Sequence, residues 1–178
     1  RWVSGCAIMK TYPMRNLTPS QAATVRRLRR IERAHRAAQT DTLVWARLHM
    51  RTERKERLDF TTRPYLVALL RDPRPRQVWV ACAQSGKTVT GLSKLFQFLC
   101  YPPDGRPRTV IYTFPTQVEV FKFSKTRAKP MILASPFLRQ QIGDVDSAES
   151  KMFANGSVIH FQGTFTEREA TSVPADLL

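Results

Sequence analysis

An apolar, β-rich run, Gln77-Val78-Trp79-Val80-Ala81-Cys82, empties without a break into Ala83-Gln84-Ser85-Gly86-Lys87-Thr88, and a helical pattern takes over at Lys87. A strand that meets a helix through a glycine-lysine-hydroxyl turn gathers main-chain N–H groups, a helix N-terminus, a lysine and a hydroxyl at one point. A polyphosphate with its magnesium ion requires those groups. Ala83, Gln84 and Ser85 supply the turn and Gly86 allows close backbone approach. Lys87 serves the outer phosphates, and Thr88 serves Mg2+ from the first helical turn. The first glycine of G-x-x-x-x-G-K-[ST] is replaced by Ala81. An ordinary strand-to-helix turn with an exposed lysine is the alternative reading.

The rest of the chain agrees with an α/β pattern from residue 61 onward. Thr18-Pro19-Ser20 offers a capping residue and a first-turn proline, and Val25, Leu28, Ile31, Ala34 and Ala38 follow at three- or four-residue spacing, which predicts a helix over 19–39. Arg26, Arg27, Arg29, Arg30, Arg33 and Arg36 surround that thin apolar stripe, leaving a broad cationic face. Leu43 to Leu58 reads as a second helix with Trp45, Leu48 and Met50 partly inside, and Pro64 to Leu70 as a short third one. Helices are expected from Lys87 to about Leu99 and from Gln117 to Ala134. Strands are expected over Gln77–Cys82 and Thr109–Phe114, the second of them introduced by the turn-rich 101–107 segment. Asn155-Gly156, between Lys151-Met152-Phe153 and Ser157-Val158-Ile159-His160-Phe161, is a strong hairpin signal. Ala175-Asp176-Leu177-Leu178 reads as the opening of one more buried strand. The expected organisation is a basic helical segment over 1–60 and an incomplete α/β domain over 61–178.

Charge narrows the class of partner. The 178 residues hold 29 Lys+Arg against 14 Asp+Glu, a formal net charge of +15. Residues 1–60 alone hold 14 against 5, so the front third is the densest. Such an imbalance suits a polyanion, nucleic acid above all, while 42% hydrophobic residues exclude a wholly disordered basic tail. No apolar run approaches the roughly 20 residues that cross a bilayer. The three cysteines, Cys6, Cys82 and Cys100, form no C-x-x-C pair, which excludes a dense disulfide framework and fits a reducing cytoplasm. His35, His49 and His160 show no metal-ligand spacing. Asp144-Val145-Asp146, preceded by Gln140-Gln141-Ile142-Gly143, reads as an exposed turn rather than a metal pair.

Order and spacing of several motifs carry a resemblance. They are Phe60-Thr61-Thr62-Arg63-Pro64-Tyr65-Leu66, the A-x-x-x-x-G-K-T loop, Tyr112-Thr113-Phe114-Pro115-Thr116-Gln117, the Lys129-Pro130 and Ser135-Pro136 stretch, Asn155-Gly156-Ser157-Val158-Ile159, and Ser172-Val173-Pro174-Ala175-Asp176. The loop followed by a strand ending in Phe-Pro-Thr is similar to helicase-like RecA-type ATPases. The whole set, over 58–178, resembles the large subunit of the tailed-bacteriophage terminase, the ATP-driven motor that packages DNA into procapsids.

The resemblance implies a RecA-like P-loop NTPase fold, a parallel sheet with helices on both faces, and the cofactors ATP and Mg2+. It implies catalytic roles for Lys87 and Thr88, metal binding by Thr88, and nucleotide contacts from Ala83, Gln84, Ser85, Gly86, Lys87, Thr88 and Tyr65. The implied partners are double-stranded DNA, a procapsid portal protein, a small terminase subunit and further copies in a homo-oligomeric ring; the implied location is the host cytoplasm. Arg26, Arg27, Arg30 and Arg33 on the first helix, with Lys122 and Lys125 after Phe-Pro-Thr, are candidates for sequence-independent DNA contact. Docking to a portal or small subunit, or a plain solvated face, are the alternatives for the first helix, and ordinary surface charge is the alternative for Lys122 and Lys125.

Two departures from the family pattern matter. Many terminases place an arginine where this sequence has Ala83, and a base-reading glutamine where it has Leu66; Tyr65 is left either to stack on a base or to pack in the core. No Asp-Glu dipeptide occurs, so the Walker B carboxylates and the nuclease domain of the family are expected outside this sequence. The chain begins at Arg1 and reads as a piece of a longer one, truncated before Walker B and inactive alone. The first domain of a DNA or RNA helicase and a non-enzymatic basic module whose loop has decayed are the competing readings.

Overall fold

A computed structural model describes residues 18–52, 54–164 and 175–176. Contacts divide the chain into two units, one ending at Arg36 and the other starting at Ala37.

The described part of the first unit is helix α1, Pro19–Ala38, which ends just inside the second unit. Thr18 and Gln21 cap its start reciprocally: the Thr18 N–H donates to Gln21 Oε1 at 3.0 Å, and the Gln21 N–H donates to Thr18 Oγ1 at 3.3 Å. This leaves fewer first-turn donors unsatisfied. Arg26, Arg27, Arg30 and Arg33 are all exposed. Positions 26, 30 and 33 fall on one helical stripe.

The second unit begins with α2 (Thr42–His49), whose N-cap Asp41 accepts hydrogen bonds from Leu43 N at 2.8 Å and Val44 N at 3.2 Å. The helix expected through Leu58 stops at His49. Met50 turns to extended geometry and is fully buried, and beyond it Arg51 bridges Arg57 in a short antiparallel contact. A string of charged residues has no apolar stripe to hold a longer helix against the core. Helix α3 (Tyr65–Arg71) and helix α4 (Lys87–Cys100) follow. Trp45, Leu66, Leu70, Leu92, Phe96 and Leu99 form one side of the core.

The sheet is mixed rather than the all-parallel one expected, with strand order β1-β4-β3-β2. β1 (Thr109–Phe114) and β4 (Val158–Gly163) run parallel in register from Thr109 opposite Val158 to Phe114 opposite Gly163. β3 (Ser150–Phe153) lies antiparallel to both β4 and β2 (Ile142–Asp146). The β3–β4 hairpin forms at Asn155-Gly156: Gly156 takes φ +85°, and Asn155 Nδ2 donates to Leu99 O at 2.7 Å, tying the turn to the end of α4. Asp144-Val145-Asp146 lies on β2, not in a turn, because β3 supplies an antiparallel neighbour.

Between β1 and β2 the chain is helical through α5 (Gln117–Phe123), a π-helical turn over Ser124–Ala128 and α6 (Lys129–Ala134), then α7 (Pro136–Gln141). The single helix expected over 117–134 therefore carries a π-helical turn at its middle. Val110, Leu138, Phe153, Ile159 and Phe161 close the core between sheet and helices.

The run Gln77–Cys82 adopts no strand. Val78 and Val80 are 91% and 96% exposed, and among the described residues no strand pairs with the run. A β-rich sequence forms a strand only beside a partner that takes up its main-chain bonds and covers its side chains. Of the terminal strand expected from Ala175, only Ala175 and Asp176 are among the described residues, and neither is in a strand; Ser172, Val173, Pro174, Leu177 and Leu178 lie outside them, as does Cys6.

Candidate functional site

The loop 81–86 delivers its backbone to the start of α4 through two left-handed residues, Gln84 at φ +58° and Gly86 at φ +91°. Gly86 is required there twice over, by its φ and by its neighbour: a Cβ on it would sit 2.8 Å from Leu66 Cδ1. Gly86 caps α4 with no side chain, and the first turn carries no acidic residue. The first helical bond at this end runs from Thr90 N to Gly86 O at 3.0 Å. The N–H groups of Lys87, Thr88 and Val89 have no hydrogen-bond partner among the described residues. Three open donors stand at the positive end of a 14-residue helix, an arrangement suited to an anion.

The side chains add to it. Lys87 Nζ folds back to donate to Ala81 O at 2.7 Å and Cys82 O at 2.6 Å. Ser85 is buried, and its Oγ has no hydrogen-bond partner among the described residues. The half-buried Thr88 likewise has an unengaged hydroxyl. Ala83 and Gln84 are exposed on the outer side of the turn. Tyr65 is neither in the core nor free: it is 48% exposed, and its hydroxyl donates to Ser85 O at 2.8 Å. Leu66 beside it is buried against Gly86.

Sequence reasoning gave Arg63 no role, yet its Nη1 would lie 3.8 Å from a Cβ on Gly86. Only the tertiary approach of α3 to the loop brings it there, and no spacing in the sequence signals it. The expected strand does not lead into the loop; instead Gln77 and Trp79 rest on α4. Lys94 Nζ donates to Gln77 Oε1 at 2.9 Å and lies 5.5 Å from the centre of the Trp79 ring.

These groups fit a polyphosphate: open N–H donors, a lysine whose two acceptors are exchangeable carbonyls, and no carboxylate in the first turn. For magnesium the loop offers the Thr88 hydroxyl. Among the described residues no three His, Cys, Asp or Glu side chains gather as a metal cluster.

The other candidates lie elsewhere on the second unit or on α1. Thr116, in the Phe-Pro-Thr element, caps α5: its hydroxyl accepts from Glu119 N at 3.3 Å while its own N–H donates to Glu119 Oε2 at 3.2 Å. Lys122 and Lys125 are exposed on α5 and the π-helical turn. Asp176 meets the first residue of β1, with its N–H on Thr109 O at 2.8 Å, its Oδ2 on Thr109 N at 2.8 Å and its Oδ1 on Arg108 Nη1 at 2.9 Å. The Thr109 N–H, and then the Arg108 guanidinium, hold its carboxyl below the usual carboxylate range. No described helix is long and apolar enough to cross a membrane.

Compared with known proteins, the chain matches no curated protein and no solved structure. Its residues 53–177 match the family described as phage terminase large subunit gpA, ATPase domain, a span that contains α3, the loop, α4 and the entire sheet. With most of its length matched, the chain belongs to the phage terminase large subunit gpA family, through that family's ATPase domain.

Proposed function

We propose that this chain is the nucleotide-binding part of a P-loop motor that hydrolyses ATP to move double-stranded DNA into procapsids. The observation that carries the reading is the start of α4. There Gly86 turns the chain, three N–H groups stand open, and Lys87 Nζ is parked on two carbonyls inside the segment that matches the family's ATPase domain. Ala83, Gln84, Ser85 and Gly86 shape the turn, and Lys87 exchanges Ala81 O and Cys82 O for phosphate oxygens. Thr88 presents its hydroxyl to the ion that accompanies them. Tyr65, fastened to Ser85 O, stands at the loop where the base enters. When bound, magnesium neutralises charge on the transferring phosphoryl group.

Phosphoryl transfer depends on positioning and charge stabilisation. No Asp-Glu pair is present in the sequence, so the chain alone binds nucleotide and turns it over little. The Asp-Glu carboxylates that complete catalysis are then not among these residues; further copies in a ring, a portal protein and a small terminase subunit are its partners, in the host cytoplasm. Arg26, Arg27, Arg30 and Arg33, with Lys122 and Lys125, contact DNA phosphates without reading sequence, as a translocating motor must.

The test is ATP turnover and DNA binding side by side. The 178 residues should hydrolyse ATP at or near background. Removing Arg26, Arg30 and Arg33 together should lower the salt slope of DNA binding by about 3. Steady turnover by the chain alone, or an unchanged slope, would contradict those parts of the reading.

A further inference from the structure

We propose that Arg63 is a second phosphate-binding cation of the loop, reaching it from the segment before α3. The inference rests on the nucleotide reading of Gly86-Lys87-Thr88 and names a residue that this reading does not include. The loop itself, from Ala81 to Thr88, contains one basic residue, Lys87, and its ammonium is already shared between two carbonyls. Arg63 brings the next positive charge, with Nη1 3.8 Å from where a Gly86 Cβ would stand.

Its placement is fixed rather than incidental. The Arg63 N–H donates to Phe60 O at 3.2 Å, its carbonyl accepts from Leu66 N at 3.1 Å, and Phe60 and Leu66 are both buried. Two residues further on, Tyr65 is hydrogen-bonded to Ser85 O. The backbone that carries Arg63 is thus pinned on both sides to the core and the loop.

Electrostatics supplies the second half of the argument. A cation beside the N-terminus of a helix opposes the helix dipole, and that repulsion costs energy unless an anion offsets it. Here two cations, three open N–H donors and no first-turn carboxylate share one corner. The exposed Arg63 guanidinium makes no hydrogen bond or ion pair with any described residue. An anion of several charges completes this corner, and a guanidinium fork matches phosphate oxygens in geometry as well as sign.

The experiment is competition binding on the 178-residue chain, with a fluorescent ADP as reporter and two competitors in magnesium buffer: ATPγS and inorganic tripolyphosphate, which has no base. Arg63→Ala should weaken both competitors about tenfold, Arg63→Lys should recover most of the loss, and Arg63→Gln, which keeps the stem over Gly86, should behave like alanine. Salt dependence should be shallower in the alanine and glutamine variants.

Affinities for both competitors within twofold of the parent would overturn the assignment. So would a loss confined to ATPγS, which would make Arg63 a base contact, or full recovery by glutamine, which would make it a packing residue. Lys87→Ala separates this idea from its parent. If the parent chain binds no reporter, or if Lys87→Ala leaves binding intact, the nucleotide reading fails and takes Arg63 with it. If Lys87→Ala weakens binding while Arg63→Ala does not, only the Arg63 assignment falls.

Discussion

The phenolic hydroxyl of Tyr65 donates to the main-chain carbonyl of Ser85 at 2.8 Å, so the first residue of α3 holds the turn that precedes Gly86. Two residues 20 positions apart in the chain are joined by this contact, and Leu66 packing against Gly86 closes the same loop. The shape of the loop is therefore set from outside as well as by its own glycine.

Tyr65→Phe removes that bond and little else. The expected loss is about 1 kcal/mol of stability, a fall of a few degrees in Tm, with a larger relative loss of nucleotide affinity because the loop is no longer held. Thermal unfolding with and without nucleotide checks it. A Tm loss with unaltered nucleotide affinity would show that the contact braces the fold alone.

Lys151 is 1% exposed and donates to Asp146 Oδ1 at 2.5 Å and Ser147 O at 3.0 Å. The Lys151 hydrogen bond, with Lys129 adding at 3.4 Å, holds the Asp146 carboxyl below the usual carboxylate range. The folded state therefore binds this proton less readily than the unfolded chain. The stabilisation is complete above the unfolded value of about 4 and is lost as pH falls through the lower folded value. Asp146→Asn keeps an oxygen that can accept from Lys151 but leaves the buried ammonium without its compensating negative charge, and should cost about 2–3 kcal/mol at neutral pH. Denaturant melts at neutral and acid pH should show that difference shrinking in acid. A penalty independent of pH would contradict the pairing.

Cys82 is exposed, with its main-chain carbonyl accepting from Lys87 Nζ, whereas Cys100 is mostly buried and burial pushes its thiol up to about 12. Maleimide labelling followed by peptide mapping should modify Cys82 quickly and leave Cys100 intact in the folded chain. Magnesium and ATPγS should slow the modification of Cys82 several-fold. Unprotected labelling under saturating nucleotide would separate the 81–88 turn from the bound phosphates.

Much of the architecture was legible in the residues because it depends on local rules. The Thr18 cap and apolar spacing announce α1, Gly86-Lys87 announces α4, and Asn155-Gly156 announces the β3–β4 hairpin. What escaped depends on neighbours distant in sequence. Val78 and Val80 have strand composition but are exposed, with no strand beside them among the described residues. Asp144-Val145-Asp146 has turn composition yet pairs with β3. The second helix ends at His49 because Met50 enters the core in extended form. At the candidate site, the residues from Ala83 to Thr88 were visible as a motif, and Tyr65 as a residue poised between stacking and packing. Its bond to Ser85, the seat of Leu66 on Gly86 and the approach of Arg63 are products of folding that no periodicity encodes.

The central claim is that the start of α4 receives the phosphates of a nucleoside triphosphate, and calorimetric titration of ATPγS with magnesium into the chain and into Lys87→Ala tests it most directly. The account predicts saturable one-site binding by the parent chain and affinity at least tenfold weaker in the variant, with both proteins equally folded. Absence of binding by the parent chain, or equal affinity in the two, would contradict it.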